Sequence, residues 1–200
     1  MPYYIFIDTE TTGLPRFRDI SAPSQEGNWP DIVSVAWSLY EPNGTFVRSQ
    51  YSIIKPDGWT IPADSTKIHG ITTEKALEEG RPLRDVLDEL KEDLEKSEVI
   101  IAHHLEFDKN VLFNAYKWRL NYNPWHLWPE KEICTMLKST DELKLPPKYP
   151  KRSHPYKPPN LTELYRATFN GREPTGQHNS MKDVEILCEI YWARWPCRTA

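Results

Sequence analysis

Tyr3-Tyr4-Ile5-Phe6-Ile7-Asp8-Thr9-Glu10-Thr11-Thr12-Gly13 runs from five apolar or aromatic residues into two carboxylates and a Thr-Gly turn. The apolar run fits a central strand buried on both faces. Residues two apart in a strand point to the same face, so Asp8 and Glu10 can converge on one cation. Asp, Glu, Thr and Gly are also ordinary turn residues. On this stretch alone, a strand end followed by a solvated acidic turn stays open.

Around that strand, 200 residues with 38% apolar content can bury one substantial core, and no Ser/Gly-rich linker divides them. One domain over residues 1–200 is expected, carrying a Pro/Lys-rich insertion at about 144–159. The formal charge of −4 argues against non-specific wrapping of duplex nucleic acid, but not against contact with phosphates through metal ions. Cys134, Cys188 and Cys197 show no CxxC spacing and no disulfide framework, so a reducing intracellular compartment is expected. No apolar span approaches 18 residues, and no basic segment precedes the first apolar run. The expectation is a soluble, cytoplasmic protein without a membrane partner.

Strands are expected at 3–8, Ile32–Tyr40 and Thr45–Ile54, the last two joined as a hairpin by Glu41-Pro42-Asn43-Gly44. Pro15 through Pro30 forms a polar, punctuated insertion between the first and second strands. Arg84–Ser97 has the clearest amphipathic pattern: Val86, Leu87, Leu90 and Leu94 form a stripe, and the charged residues, Asp93 among them, read as a solvated face. A strand at 99–102 leads into a helix bearing Asp108, with Val111, Leu112 and Ala115 on its packing side; Leu161–Phe169 and Ser180–Trp195 are further helices. The insertion Leu145–Pro159 reads as an extended surface loop, although its lysines and tyrosines could track a single strand. The eight tryptophans read as core packing rather than one binding platform. Composition and pattern alone give a mixed α/β domain.

Three segments share one further pattern. The first is Asp8-Thr9-Glu10-Thr11-Thr12-Gly13; the second is Val99-Ile100-Ile101-Ala102-His103-His104-Leu105-Glu106-Phe107-Asp108. The third, His178-Asn179-Ser180-Met181-Lys182-Asp183, holds a histidine and an aspartate five residues apart. In this order, with His69-Gly70-Ile71-Thr72 between the first two, the chain resembles the DnaQ-like 3′→5′ exonucleases of the DEDDh type over roughly residues 3–193. His104 departs from the pattern, standing where the family often has Asn. The resemblance implies a ribonuclease-H-like fold, a mixed sheet flanked by helices.

It also implies roles. Asp8, Glu10, Asp108 and Asp183 would hold two divalent cations, Mg²⁺ or Mn²⁺, about 3.5–4 Å apart, with Asp8 shared. Four converging carboxylates would repel one another without cations, which is itself a reason to expect metal. His178 would deprotonate the attacking water, completing the catalytic set Asp8, Glu10, Asp108, His178 and Asp183. Five residues of helix turn through about 500°, leaving His178 and Asp183 roughly 140° apart. His178 is therefore expected in the approach Gly176-Gln177-His178, and Asp183 on the following helix capped by Asn179 or Ser180. Thr11, Gly13 and Leu14 resemble the surface that receives the terminal nucleotide; His69 and Ile71 resemble pocket edges, and Phe107 is core or a stacking wedge. His103 and His104 read as supporting groups rather than metal ligands.

The implied activity is metal-dependent hydrolysis from single-stranded or frayed DNA 3′ ends, releasing nucleoside 5′-monophosphates. RNA 3′ ends are the alternative substrate. A non-catalytic nucleic-acid-binding module on the same fold is the alternative function. A polymerase or repair partner would suit a proofreading subunit.

Overall fold

The computed structural model describes residues 2–147, 155–176 and 179–196. Its centre is a five-stranded sheet in the order β3-β2-β1-β4-β5, built from β1 (Tyr3–Thr11), β2 (Ile32–Tyr40), β3 (Phe46–Ile53), β4 (Ser97–Ala102) and β5 (Lys131–Cys134). The first three strands form an antiparallel meander, whereas β4 pairs parallel with β1 and β5 parallel with β4. This is the mixed sheet of a ribonuclease-H-like fold. β1 is central, with Ile5, Phe6 and Ile7 all fully buried, because helices cover both faces of the sheet.

On one face, α3 (Leu83–Leu94) and α4 (Leu105–Asn114) close a core with Ile5, Ile7, Trp37 and Ile100. A π-helical turn at Ala115–Arg119 extends α4. The α3 stripe is buried as its spacing predicts, but Asp93 departs from the solvated reading at 1% exposure. The Trp37 indole N–H donates to it at 2.7 Å and Arg48 reaches in from β3 at 2.5 Å, so a buried tryptophan and an arginine together satisfy the carboxylate.

The opposite face is covered by α7 (Ser180–Arg194). Val184, Leu187, Cys188 and Tyr191 meet Phe6, Ala36 and Ile101, while Ile186 and Ile190 pack against Leu164 of α6 (Leu161–Thr168). A helix buried on two sides has no single apolar stripe. Tyr40, Tyr191 and Trp192 surround the Phe6 ring at centroid distances of 5.2–5.8 Å. Trp192 is partly buried and packs against this core, whereas Trp125 is 55% exposed.

Three short helices were not foreseen: α1 (Ala63–His69) and α2 (Thr73–Glu79), which lie beyond β3, and α5 (Thr135–Leu143) after β5. The base of the proline-rich insertion is closed where the Lys157 N–H donates to the Leu145 carbonyl at 2.9 Å. Its central residues 148–154 lie outside the described residues. Among the described residues, no helix is long and apolar enough to cross a membrane.

Candidate active site

Asp8 and Glu10 share the alternation of Phe6, which places them at the end of β1 on the face covered by α7. Asp183 lies in the first turn of α7. One carboxylate oxygen from each of the three lies within 4.8 Å of the other two. The start of α7 is fixed twice: the Asn179 side chain accepts from the Lys182 N–H at 3.3 Å, and the fully buried Ser180 hydroxyl is 3.0 Å from that of Ser34 on β2. Asn179 is the helix cap, one of the two residues expected there; Ser180 is the first residue of the helix. His178 itself lies outside the described residues.

Asp108 comes from the first turn of α4 and is 3% exposed. It is not one of the 4.8 Å group; its Oδ1 accepts from the Thr9 N–H at 3.0 Å and the Thr9 hydroxyl at 2.8 Å. Asp8, Asp108 and Asp183 nevertheless line one cavity of about 290 Å³. Burial first, then the charges of Asp108, Asp183 and Glu10, hold the Asp8 carboxyl well above the usual carboxylate range. Burial, Asp183 and Asp108 push Glu10 up to about 8. Burial likewise raises Asp108 to about 7 against the opposing pull of the Thr9 hydrogen bonds. Carboxyls crowded this closely hold protons near neutral pH unless a cation replaces them. The donors are all carboxylate oxygens, a set that fits Mg²⁺ or Mn²⁺.

His103 lines the same cavity, but its two ring nitrogens are engaged with groups other than the carboxylates. Its Nε2 is 3.1 Å from the Pro159 carbonyl and its Nδ1 is 3.1 Å from the Thr135 hydroxyl. A carbonyl only accepts, so Nε2 carries the proton and Nδ1 is left to accept from Thr135. Burial pushes this ring down to about 4, which keeps it neutral. It ties the end of β4 to the residue preceding the α6 cap, and Asn160, Leu161 and Thr162 reach the carboxylate cavity from there. His104 is exposed and stacks on Phe107, with ring centroids 5.9 Å apart and planes at 17°.

The predicted nucleotide-binding residues do not all line one cavity. The Thr11 hydroxyl donates to the Gly13 carbonyl at 2.7 Å, and Gly13 has φ 151°, a conformation that residues with a Cβ rarely adopt. His69 is 8% exposed, and its Nδ1 accepts from the Ile71 N–H at 3.1 Å in a turn that Gly70 permits at φ 76°. Ile71, read as a pocket edge, is core here: it is 3% exposed and packs with Val33, Ile53 and Ala76. Neither His69 nor Ile71 lines the carboxylate cavity. Leu14 and Phe107 line a groove of about 350 Å³, together with Arg18 and Trp29, which sequence reasoning did not single out. The start of α6 was also missed as part of the cavity, although Asn160-x-x-Glu163 is a legible capping box.

The RNase_T family, described as Exonuclease, matches residues 5–191. Among solved structures, the chain is similar to Exonuclease I with a TM-score of 0.74 and 19% identity, over 98% of this chain and 42% of that one. The E. coli Exonuclease I complex with a dT13 oligonucleotide gives a TM-score of 0.72 and 19% identity, over 95% of this chain and 40% of that one. The complex with a dA16 oligonucleotide gives 0.72 and 18%, over 98% and 42%. The chain therefore spans about two fifths of the length of these structures. Among curated proteins there is no match. With the match running through nearly the whole sheet and its helices, from β1 to α7, the chain belongs to the RNase_T exonuclease family.

Proposed function

We propose that the protein is a metal-dependent 3′→5′ exonuclease that removes nucleoside 5′-monophosphates from single-stranded or frayed DNA 3′ ends, acting as one domain over residues 1–200. The observation that carries this is the convergence of Asp8, Glu10 and Asp183 within 4.8 Å, with the buried Asp108 in the same cavity. Asp8, Glu10 and Asp183 would hold the cations, joined by Asp108 once its carboxyl gives up its proton. Two bound cations would supply Lewis-acid stabilisation to the attacking and leaving oxygens of the phosphodiester. His178, immediately before the α7 cap, would take the proton from the attacking water. Thr9 holds Asp108 in place, and the Ser34–Ser180 contact holds the helix that carries Asp183.

The DNA preference rests on the oligonucleotide complexes of the structurally similar Exonuclease I. A polymerase or repair partner is part of the same proposal, as is a cytoplasmic setting, which agrees with the free thiols of Cys134 and Cys188. Single strands labelled at either end, incubated with Mg²⁺, Mn²⁺ or chelator, test the reaction. Stepwise loss of monophosphates from the 3′ end, only with metal, is expected; loss from the 5′ end or unaffected by chelator would refute it. Length-matched DNA and RNA in competition test the sugar preference, with DNA expected to be cut faster per terminus.

A further inference from the structure

A cavity of about 610 Å³ opens between the start of β2, the end of β3, the start of α3 and the π-helical turn that extends α4. It shares no lining residue with the carboxylate cavity or with the groove of Leu14 and Phe107. It is nevertheless close to the chemistry. The Thr12 N–H donates to the Asp31 carbonyl at 3.0 Å, and the Asp31 N–H donates to the Thr12 hydroxyl at 3.1 Å, so the lining begins across the ladder from the turn that follows Glu10. Asp108 of the carboxylate cavity and Ala115 of this one are separated by about 10 Å of helix axis.

The lining sets two half-buried indoles, Trp59 and Trp118, beside the buried Ile32 and Ile54. The Trp118 ring is held by its N–H, which donates to the Ala22 carbonyl at 2.8 Å, and by Lys117, whose Nζ lies 4.8 Å from the ring centroid. Trp59 packs against Ile54 on one side of the core and the Val33–Ile61–Ile71 group on the other. Among the charged groups, Arg119 donates to both oxygens of Asp31 at 2.8 Å, so these two neutralise each other. Lys55 and Arg84 are exposed and in no ion pair among the described residues, and Asp57 is the other carboxylate of the lining. Exposed cations alone would be ordinary solvated surface. Here they stand at a concave aromatic wall of ligand size, and the lining carries one net positive charge.

We propose that this cavity is a separate, non-catalytic nucleotide site, in which a base rests against Trp59 and Trp118 and its phosphate meets Lys55 and Arg84. Indoles accept any base, since every base has a stacking face. The Arg84 guanidinium offers a phosphate paired donors and Lys55 a point charge. One net positive charge suits a single phosphate, monoester or diester, better than a triphosphate. The nucleotide has two sources: a free monophosphate, or an internal residue of a strand whose 3′ end is at the carboxylates. The exonuclease reading supplies these sources, whereas the site itself stands on its own lining.

The test measures binding of deoxyadenosine 5′-monophosphate by calorimetry in chelator, which keeps metal from the carboxylates. Wild type is compared with Asp8→Ala and with the double variant Lys55→Ala/Arg84→Ala, whose substitutions are both on the surface. Wild type and Asp8→Ala should bind alike, and the double variant at least about tenfold more weakly, as expected for loss of charge-assisted contacts. Deoxyadenosine and ribose 5-phosphate, each lacking one half of the ligand, should both bind more weakly than the nucleotide. A KM comparison with metal, on a dinucleotide and a dodecanucleotide, separates the sources. If the strand fills the site, the double variant raises the dodecanucleotide KM several-fold and leaves the dinucleotide unchanged; if the free monophosphate fills it, both KM values stay at wild type. No binding by wild type at millimolar nucleotide, binding unaffected by the double substitution, or an equal KM loss on both lengths would overturn the site and leave the exonuclease reading intact. Wild type that binds the nucleotide in chelator but cleaves neither strand with metal would overturn the exonuclease reading alone.

Discussion

Asp8 and Glu10 owe their position to two-residue alternation at the end of a strand whose preceding residues have no water to face, and this much is legible in the first eleven residues of β1 and its turn. The helix that carries Asp183 was equally legible, with Asn179, one of the two residues expected to cap it, at its start. Two residues were less so. Ile71 is core because α1 and α2 fold over β2 and β3, a tertiary event that its local motif does not encode. Arg18 sits in a polar insertion where composition alone cannot say which side chain lines the groove beside Leu14 and Phe107. The separation of roles gives a prediction. Asp8→Ala should abolish both turnover and the rise in melting temperature on adding Mn²⁺, because it removes a ligand and a charge from the cluster. His178→Ala should keep the Mn²⁺-induced rise while turnover falls roughly 10²–10⁴-fold, as expected for loss of a general base. Differential scanning fluorimetry alongside the labelled-strand assay reads both, and full turnover of His178→Ala across pH 6–9 would remove His178 from the mechanism.

At the scale of elements, long segments with a clear period were legible and short ones were not. β2 was read with the boundaries it has, and the α3 stripe with the burial it has, because each holds a pattern over nine or more residues. β5 has four residues, two of them charged, and α1 and α2 have seven each; no period can establish itself over such lengths. The charge run on α3 misled at one position for a different reason. Asp93 looks like its solvated neighbours in sequence, and only the fold brings Trp37 and Arg48 to it. Asp93→Ala should therefore behave as a core substitution, leaving the Trp37 indole N–H buried without an acceptor and freeing Arg48. A loss of about 2–3 kcal/mol in urea unfolding is expected, moderated because Arg48 is 42% exposed and can turn to water. The neighbouring Glu92, 70% exposed, should tolerate alanine within about 0.5 kcal/mol.

For the whole molecule, the sheet order could be reached only by way of the motifs: hydrophobic pattern gives strands and helices, whereas the parallel placement of β4 beside β1 follows from bringing Asp108 to Asp8. That placement burdens the metal-free fold, and the burden depends on pH. Glu10 and Asp108 hold protons up to about 8 and about 7 in the folded chain, against ordinary carboxylate values near 4 when unfolded. The folded state therefore binds more protons than the unfolded state between about pH 4 and 8, so these groups make the metal-free protein less stable as pH rises through that window. A divalent cation competes with the same protons and binds only the folded cluster, so its stabilisation should grow over the same window. The measured quantity is the melting-temperature difference with and without saturating Mg²⁺, taken at intervals from pH 5 to pH 8.5. It should be small at pH 5, rise through neutrality and level off above about pH 8. In Asp8→Asn the carboxylate count falls by one, so the metal-free protein should lose less stability toward high pH and the Mg²⁺ increment should shrink. A difference that stayed flat with pH in wild type would mean that Mg²⁺ binds away from these carboxylates.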